Sequence, residues 1–130
     1  MRIFKLACIA LLAACIIGCA SGPVEVPADM SPAKIIQQAQ EASDRNKFDQ
    51  AIQYYEILRE RYPNDIEHVV TAEYEIAFLH YKQKKYDQAQ GELQELLSRY
   101  DSPDAVLLPP QYKILAETVL TTIETKLAEK

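Results

Sequence analysis

The sequence predicts an all-α fold: a short α-α solenoid of two helical hairpins closed by a C-terminal capping helix. Three observations carry that expectation. From Ser31 to Lys130 no run of alternating β-branched residues is bounded by tight-turn pairs, so a strand signal is missing. Apolar side chains over the same stretch recur at three- and four-residue spacing, the period of one helix face. Sliding the chain by 38 residues lays Arg45–Tyr62 on Gln83–Tyr100 with seven of 18 pairs identical, a self-similarity that marks stacked helical units.

The first helix begins at Ser31-Pro32, where the serine hydroxyl can take a free backbone N–H and proline fills the first helical position without losing a needed donor. It runs to about Asn46. A second helix, about Asp49 to Tyr62, places Ala51, Tyr55, Leu58 and Tyr62 on one face before Pro63-Asn64-Asp65 ends it. Asp65 caps the third, about Ile66 to Lys84. The fourth, about Asp87 to Tyr100, repeats the second with Ala89, Leu93, Leu96 and Tyr100, and Asp101-Ser102-Pro103 closes it. After Pro109-Pro110 a fifth helix sets Tyr112, Leu115, Val119, Ile123 and Leu127 along one side.

Composition narrows the class further. Of 130 residues, 48% are apolar and 25% charged, with three Gly and three Cys, which excludes collagenous, disordered and disulfide-scaffold chains. Fourteen basic against 19 acidic groups leave a formal charge of −5 and no concentrated basic surface, so nucleic acid is not an expected partner.

Residues 1–18 read as an export signal: Arg2 and Lys5, then an uncharged apolar run from Leu6 to Ile17. Twelve apolar residues fall short of the roughly 20 that span a bilayer as a helix. The run leads into Ile16-Ile17-Gly18-Cys19, which resembles a bacterial lipobox. That resemblance implies a diacylglyceryl thioether on Cys19, cleavage before it and acylation of the freed amine. Leu12-Ala13-Ala14-Cys15 also fits. Cys19 is favoured because cleavage there leaves polar Ala20-Ser21-Gly22, whereas cleavage at Cys15 leaves Ile16 and Ile17 exposed. The implied chains hold the protein on a membrane, since one acyl chain alone gives marginal binding. Removing residues 1–18 takes two positive charges and no acid, which shifts the formal charge from −5 to −7. Residues 19–30, with Pro23 and Pro27 and no apolar period, read as the lipidated Cys and a flexible tether that lets the 31–130 domain stand clear of the headgroups. Ala20, rather than Asp, after the lipidated Cys implies sorting to the outer membrane.

The repeat itself resembles the tetratricopeptide repeat. In that family a small residue lets the hairpin helices cross closely, an aromatic covers the turn, a second small residue opens the second helix and proline ends it. Ala39 and Ala77, Phe48 and Tyr86, Ala51 and Ala89, and Pro63 match those places, and His80 to Ala89, HYKQKKYDQA, is the nearest stretch. Asn46 and Lys84 stand where the family usually has Gly, and Asp101 where proline is expected. Gly91 inside the fourth helix costs about 1 kcal/mol relative to Ala, and close helix contact accounts for it. Among lipoproteins, the Phe48-Asp49-Gln50-Ala51 and Tyr86-Asp87-Gln88-Ala89 starts and the Arg61-Tyr62-Pro63 end resemble the BamD-type subunit of the outer-membrane β-barrel assembly machinery, whose members carry more repeats than this chain.

Catalytic chemistry has no footing in the sequence. Gly18, Gly22 and Gly91 form no phosphate-cradling loop, and His68 and His80 lack ligands at metal spacing, so His80 reads as a packing residue and no cofactor is expected beyond the Cys19 lipid. Glu41 and Glu95 precede Arg45 and Arg99 by four residues and read as solvated helical pairs.

What remains is a surface. The resemblance implies a concave groove lined by the first helix of each hairpin, at Thr71, Tyr74, Phe78, Tyr81 and Lys82 in the second unit and Ile36, Gln40, Ser43 and Asp44 in the first. Tyr74, Phe78 and Tyr81 follow the i, i+4, i+7 rule and form one stripe. Either the stripe receives a peptide or helix of an envelope protein, or the last helix lies on it and makes it core. The functional expectation is a lipid-anchored, non-enzymatic adaptor in the cell envelope, with outer-membrane assembly as its narrower form. A structural or surface-displayed lipoprotein and a ligand-binding accessory of solute uptake stay open beside it.

Overall fold

The structure is a computed structural model and describes residues 22–129. The signal and the lipid-site readings at Cys15 and Cys19 lie outside the described residues. Among those described are five α-helices and no strand: α1 Pro32–Asp44, α2 Phe48–Arg61, α3 Ile66–Lys82, α4 Tyr86–Arg99 and α5 Pro110–Ala128, with a 3₁₀ helix at Pro103–Leu107 that the sequence reading did not contain. Ser31 caps α1 by accepting from the Lys34 N–H, with Pro32 in the first turn, and Asp65 caps α3 by accepting from the His68 N–H at 3.1 Å.

Each hairpin turns the same way. The Lys47 N–H donates to the Ala42 carbonyl and the Asn46 N–H to that of Ser43, both at 2.9 Å, while Lys85 and Lys84 donate to His80 and Tyr81 in the second unit. These are paired Schellman motifs, which need a left-handed residue just past the helix end. Asn46 (φ 58°) and Lys84 (φ 63°) supply it. Both turns thus take the left-handed conformation without the glycine that makes it comfortable.

Small residues set the helix crossings. Ala39, Ala51, Ala77 and Ala89 are fully buried, and α1 packs on α2, α2 on α3, α3 on α4 and α4 on α5 in chain order. Two cores result. Ile35, Tyr55 and Leu58 anchor the first, and Val70, Leu93 and Ile123 the second. The third helix serves both, sending Ala72, Ile76 and Leu79 into the first and Val70, Tyr74 and Ala77 into the second. A helix that is apolar on opposite sides is buried on both, and this one welds the two units together.

Four local expectations are corrected. The buried side of α5 runs through Ala116, Val119 and Ile123, with Tyr112 and Leu127 packed beside them, while Leu115 is 42% exposed. Counting from Tyr112, the four-residue step falls on Ala116, whose small side chain permits close approach, and Leu115 lies about 100° around the helix. Gly91 is exposed with nothing within 4 Å of where a Cβ would stand, so close contact does not explain it. Arg99 pairs with Glu73 of α3 rather than with Glu95, because the carboxylate across the hairpin lies in a drier setting than one on the solvated face. The fourth concerns the segment before α1.

That segment reads as a tether, yet its described part is strapped to the first hairpin. The Val24 N–H donates to Gln53 Oε1 at 2.9 Å, the Arg61 guanidinium donates to the carbonyls of Val26 and Pro27, and the Tyr62 hydroxyl donates to that of Met30. Val26 and Met30 pack against the first core. Two apolar side chains, with hydrogen bonds from Arg61 and Tyr62 and one to Gln53, dock a stretch that has no periodicity of its own.

Candidate partner-binding groove

The third helix also reaches α5, and its Lys82 reaches Ser43 of α1, so α1, α3 and α5 form one row along the stack. Polar links join that row to itself and to its neighbours. The Lys82 ammonium donates to Ser43 Oγ of α1 at 3.1 Å and lies 4.7 Å from the centre of the Phe48 ring. Gln83 Nε2 donates to Asp49 Oδ1 at 2.6 Å. At the other end, Thr71 Oγ1 and the Tyr112 hydroxyl are 2.8 Å apart, and the Tyr100 hydroxyl donates to the Pro109 carbonyl.

The expected stripe is present and divided. Tyr74 is buried in the second core, with Tyr112 of α5 tilted against it at 5.3 Å between ring centres. The core alternative therefore holds for Tyr74. Phe78 stacks on Tyr74 at 6.0 Å and Tyr81 on Phe78 at 5.8 Å, but both are only half-buried and keep part of their rings open. In the first unit Ile36 is half-buried against its core, Gln40 and Asp44 are exposed, and Ser43 is occupied by Lys82. The inner face is thus aromatic at α3 and polar at α1.

One residue the sequence reading missed stands among them. Glu75 lies one helical turn from both Thr71 and Phe78 and shares their face. Burial pushes its carboxyl above the usual carboxylate range, and Lys82 offsets this in part. Burial first, then the Glu75 charge and Tyr112, pushes the Tyr74 hydroxyl up to about 12, and the same causes raise Tyr55. A carboxyl whose folded pKa is raised weakens the fold as pH rises through the window from its unfolded to its folded value, and the penalty persists above it. The only hint in the sequence was an acid inside the long apolar run of α3.

The outer side carries a different feature. Between α2, α3 and α4 a cleft of about 120 Å³ is lined by Arg59, Glu73, Glu92, Glu95 and Arg99 over Ile76 and Leu96. His80, buried as a packing residue, borders α4 with its Nδ1 2.7 Å from Glu92 Oε2 and its Nε2 3.3 Å from Gln88 Nε2. Among the described residues no group of three His, Cys, Asp or Glu is placed to hold a metal ion.

Stacked hairpins with small residues at their crossings and a row of first helices on the inside define a helical-repeat module. The family model for the tetratricopeptide repeat matches residues 35–65 and 71–102, so both hairpins are tetratricopeptide repeats. The chain is also similar to an uncharacterized protein of Treponema pallidum (strain Nichols), with 34% identity over 111 residues that make up 84% of this chain and 44% of that protein. It therefore spans less than half the length of that relative. No solved structure matches the chain.

Proposed function

We propose that the protein is a non-enzymatic adaptor that binds an envelope protein along the α1, α3 and α5 face while a lipid on Cys19 holds it at a membrane, with the outer membrane as its site. Tetratricopeptide repeats are protein-interaction modules, and the observation that carries the reading is the half-open pair Phe78 and Tyr81 on α3, with exposed Gln40 at the place on α1 that matches Phe78. Anchoring rests on the Arg2, Lys5, apolar-run and Cys19 pattern of the sequence. A part in β-barrel assembly rests on the Phe48-Asp49 and Arg61-Tyr62-Pro63 resemblance alone, and neither the repeat family nor the Treponema protein adds to it.

A photo-crosslinking residue at Gln40, inside living cells of the source organism, is expected to capture one envelope protein that the same probe at Glu56 or Gln94, exposed residues of α2 and α4, does not. Capture from α2 and α4 but not from α1 would overturn the groove. Cys19→Ala is expected to abolish acyl labelling and processing. Labelling that persists and moves to Cys15 reassigns the anchor, and an unlabelled, freely dissolved wild-type chain removes it.

A further inference from the structure

The described residues include four half-buried acids, and three of them have a partner: Glu41 lies 3.8 Å from Arg45, Glu73 pairs with Arg99, and Glu92 sits 2.7 Å from His80. Glu75 makes no hydrogen bond or ion pair among the described residues. The nearest cation in its row, Lys82, is two turns along the helix and already engaged by Ser43 and the Phe48 ring. Taking a carboxylate partly out of water without pairing it is unfavourable, so a fold that needed only stability at this place would have an apolar or amide side chain.

What surrounds the carboxylate indicates what it lacks. Phe78 stands one turn above it and Thr71, holding the Tyr112 hydroxyl, one turn below. An aromatic ring one turn along the helix from a single carboxylate suits a planar cation, which packs against the ring while its fork of donors meets the two oxygens. Ammonium groups fit less well because they are strongly hydrated and have no plane to stack. One isolated acid is also too few for a metal ion. The excess of acidic over basic groups draws basic segments toward the domain.

We propose that Glu75 is the recognition point for an arginine side chain of an extended partner segment, with the guanidinium seated against Phe78 and Tyr112. This rests on the groove reading above and names the chemistry of its occupant.

The test uses the full-length chain and two synthetic pentapeptides, acetyl-Gly-Leu-Arg-Leu-Gly-amide and its neutral citrulline counterpart, followed by NMR of the aromatic rings. The arginine peptide is expected to shift Phe78 and Tyr112 saturably and to bind about tenfold or more tightly than the citrulline peptide, the ratio that one charge-assisted bond supplies. Glu75→Gln is expected to erase that ratio and at the same time to raise the melting temperature at neutral pH, because it removes an unpaired, desolvated charge. A merely structural Glu75 would instead melt lower on substitution. Equal binding of the two peptides, no binding of either, shifts confined to the Arg59 and Arg99 cleft, or a lower melting temperature for Glu75→Gln each overturn the proposal. If Gln40 crosslinks survive in Glu75→Gln cells, the groove stands and the arginine site falls. If wild-type Gln40 crosslinks are missing, the groove itself has failed.

Discussion

The two hairpins carry the same side chains at the same places and use them differently. Tyr62 and Tyr100 end their units alike, yet Tyr62 binds backwards to the Met30 carbonyl and Tyr100 forwards to that of Pro109. Arg61 holds the strap carbonyls of Val26 and Pro27, while its counterpart Arg99 crosses to Glu73. Identical helix ends have become the fastening for whatever chain arrives next to them. The inner faces diverge as well, with Gln40 and Asp44 in the first unit against Phe78 and Lys82 at the matching places in the second. Duplication fixes the scaffold, and neighbours decide the role.

Core truncation tests whether that scaffold is one unit or two. Leu58 and Leu96 are equivalent, at 0% and 2% exposure, and each change to Ala is expected to cost about 2–5 kcal/mol. Because α3 serves both cores, urea unfolding should stay a single transition whichever is cut, with fluorescence and circular dichroism coincident. Two separated transitions would show that the units melt independently.

A smaller effect separates the two arginines. Arg99→Ala leaves the half-buried Glu73 unpaired and is expected to destabilise by about 1 kcal/mol, discounted for its partial exposure. Arg61→Ala should cost under about 0.5 kcal/mol while speeding limited proteolysis between Val24 and Met30. Equal thermodynamic costs would break the distinction.

Three changes are expected to be gains, and they sharpen the comparison of turns. Lys84→Gly relieves a left-handed lysine and is expected to stabilise by about 0.5–1 kcal/mol. Asn46→Gly gains less, since asparagine tolerates that conformation. Gly91→Ala, in open space on α4, should add about 0.5–1 kcal/mol. Thermal melts of the three variants check the order.

What was legible in the sequence is what short-range chemistry writes. Ser31-Pro32, Asp65 and the proline stops mark helix ends through atoms a few residues apart, and Ala39, Ala51, Ala77 and Ala89 announce the crossings by size. The features that escaped depend on partners about 20 or more residues away. Arg99 had a carboxylate at each of two distances, and only the packed hairpin shows that Glu73 wins. Val26 and Met30 dock without any period to betray them. Glu75 looks like any helical acid until Tyr55 of α2 and Tyr112 of α5 come near it. Leu115 failed for a simpler reason, since a stripe counted by threes and fours drifts around a helix unless a buried neighbour pins its angle.

The strap at Val24 has a geometric consequence for a chain lipidated at Cys19. Four residues lie between the two, and a fully stretched backbone advances at most about 3.6 Å per step, roughly 18 Å over the five steps. The domain would ride low over the bilayer, with its first hairpin nearest the lipid.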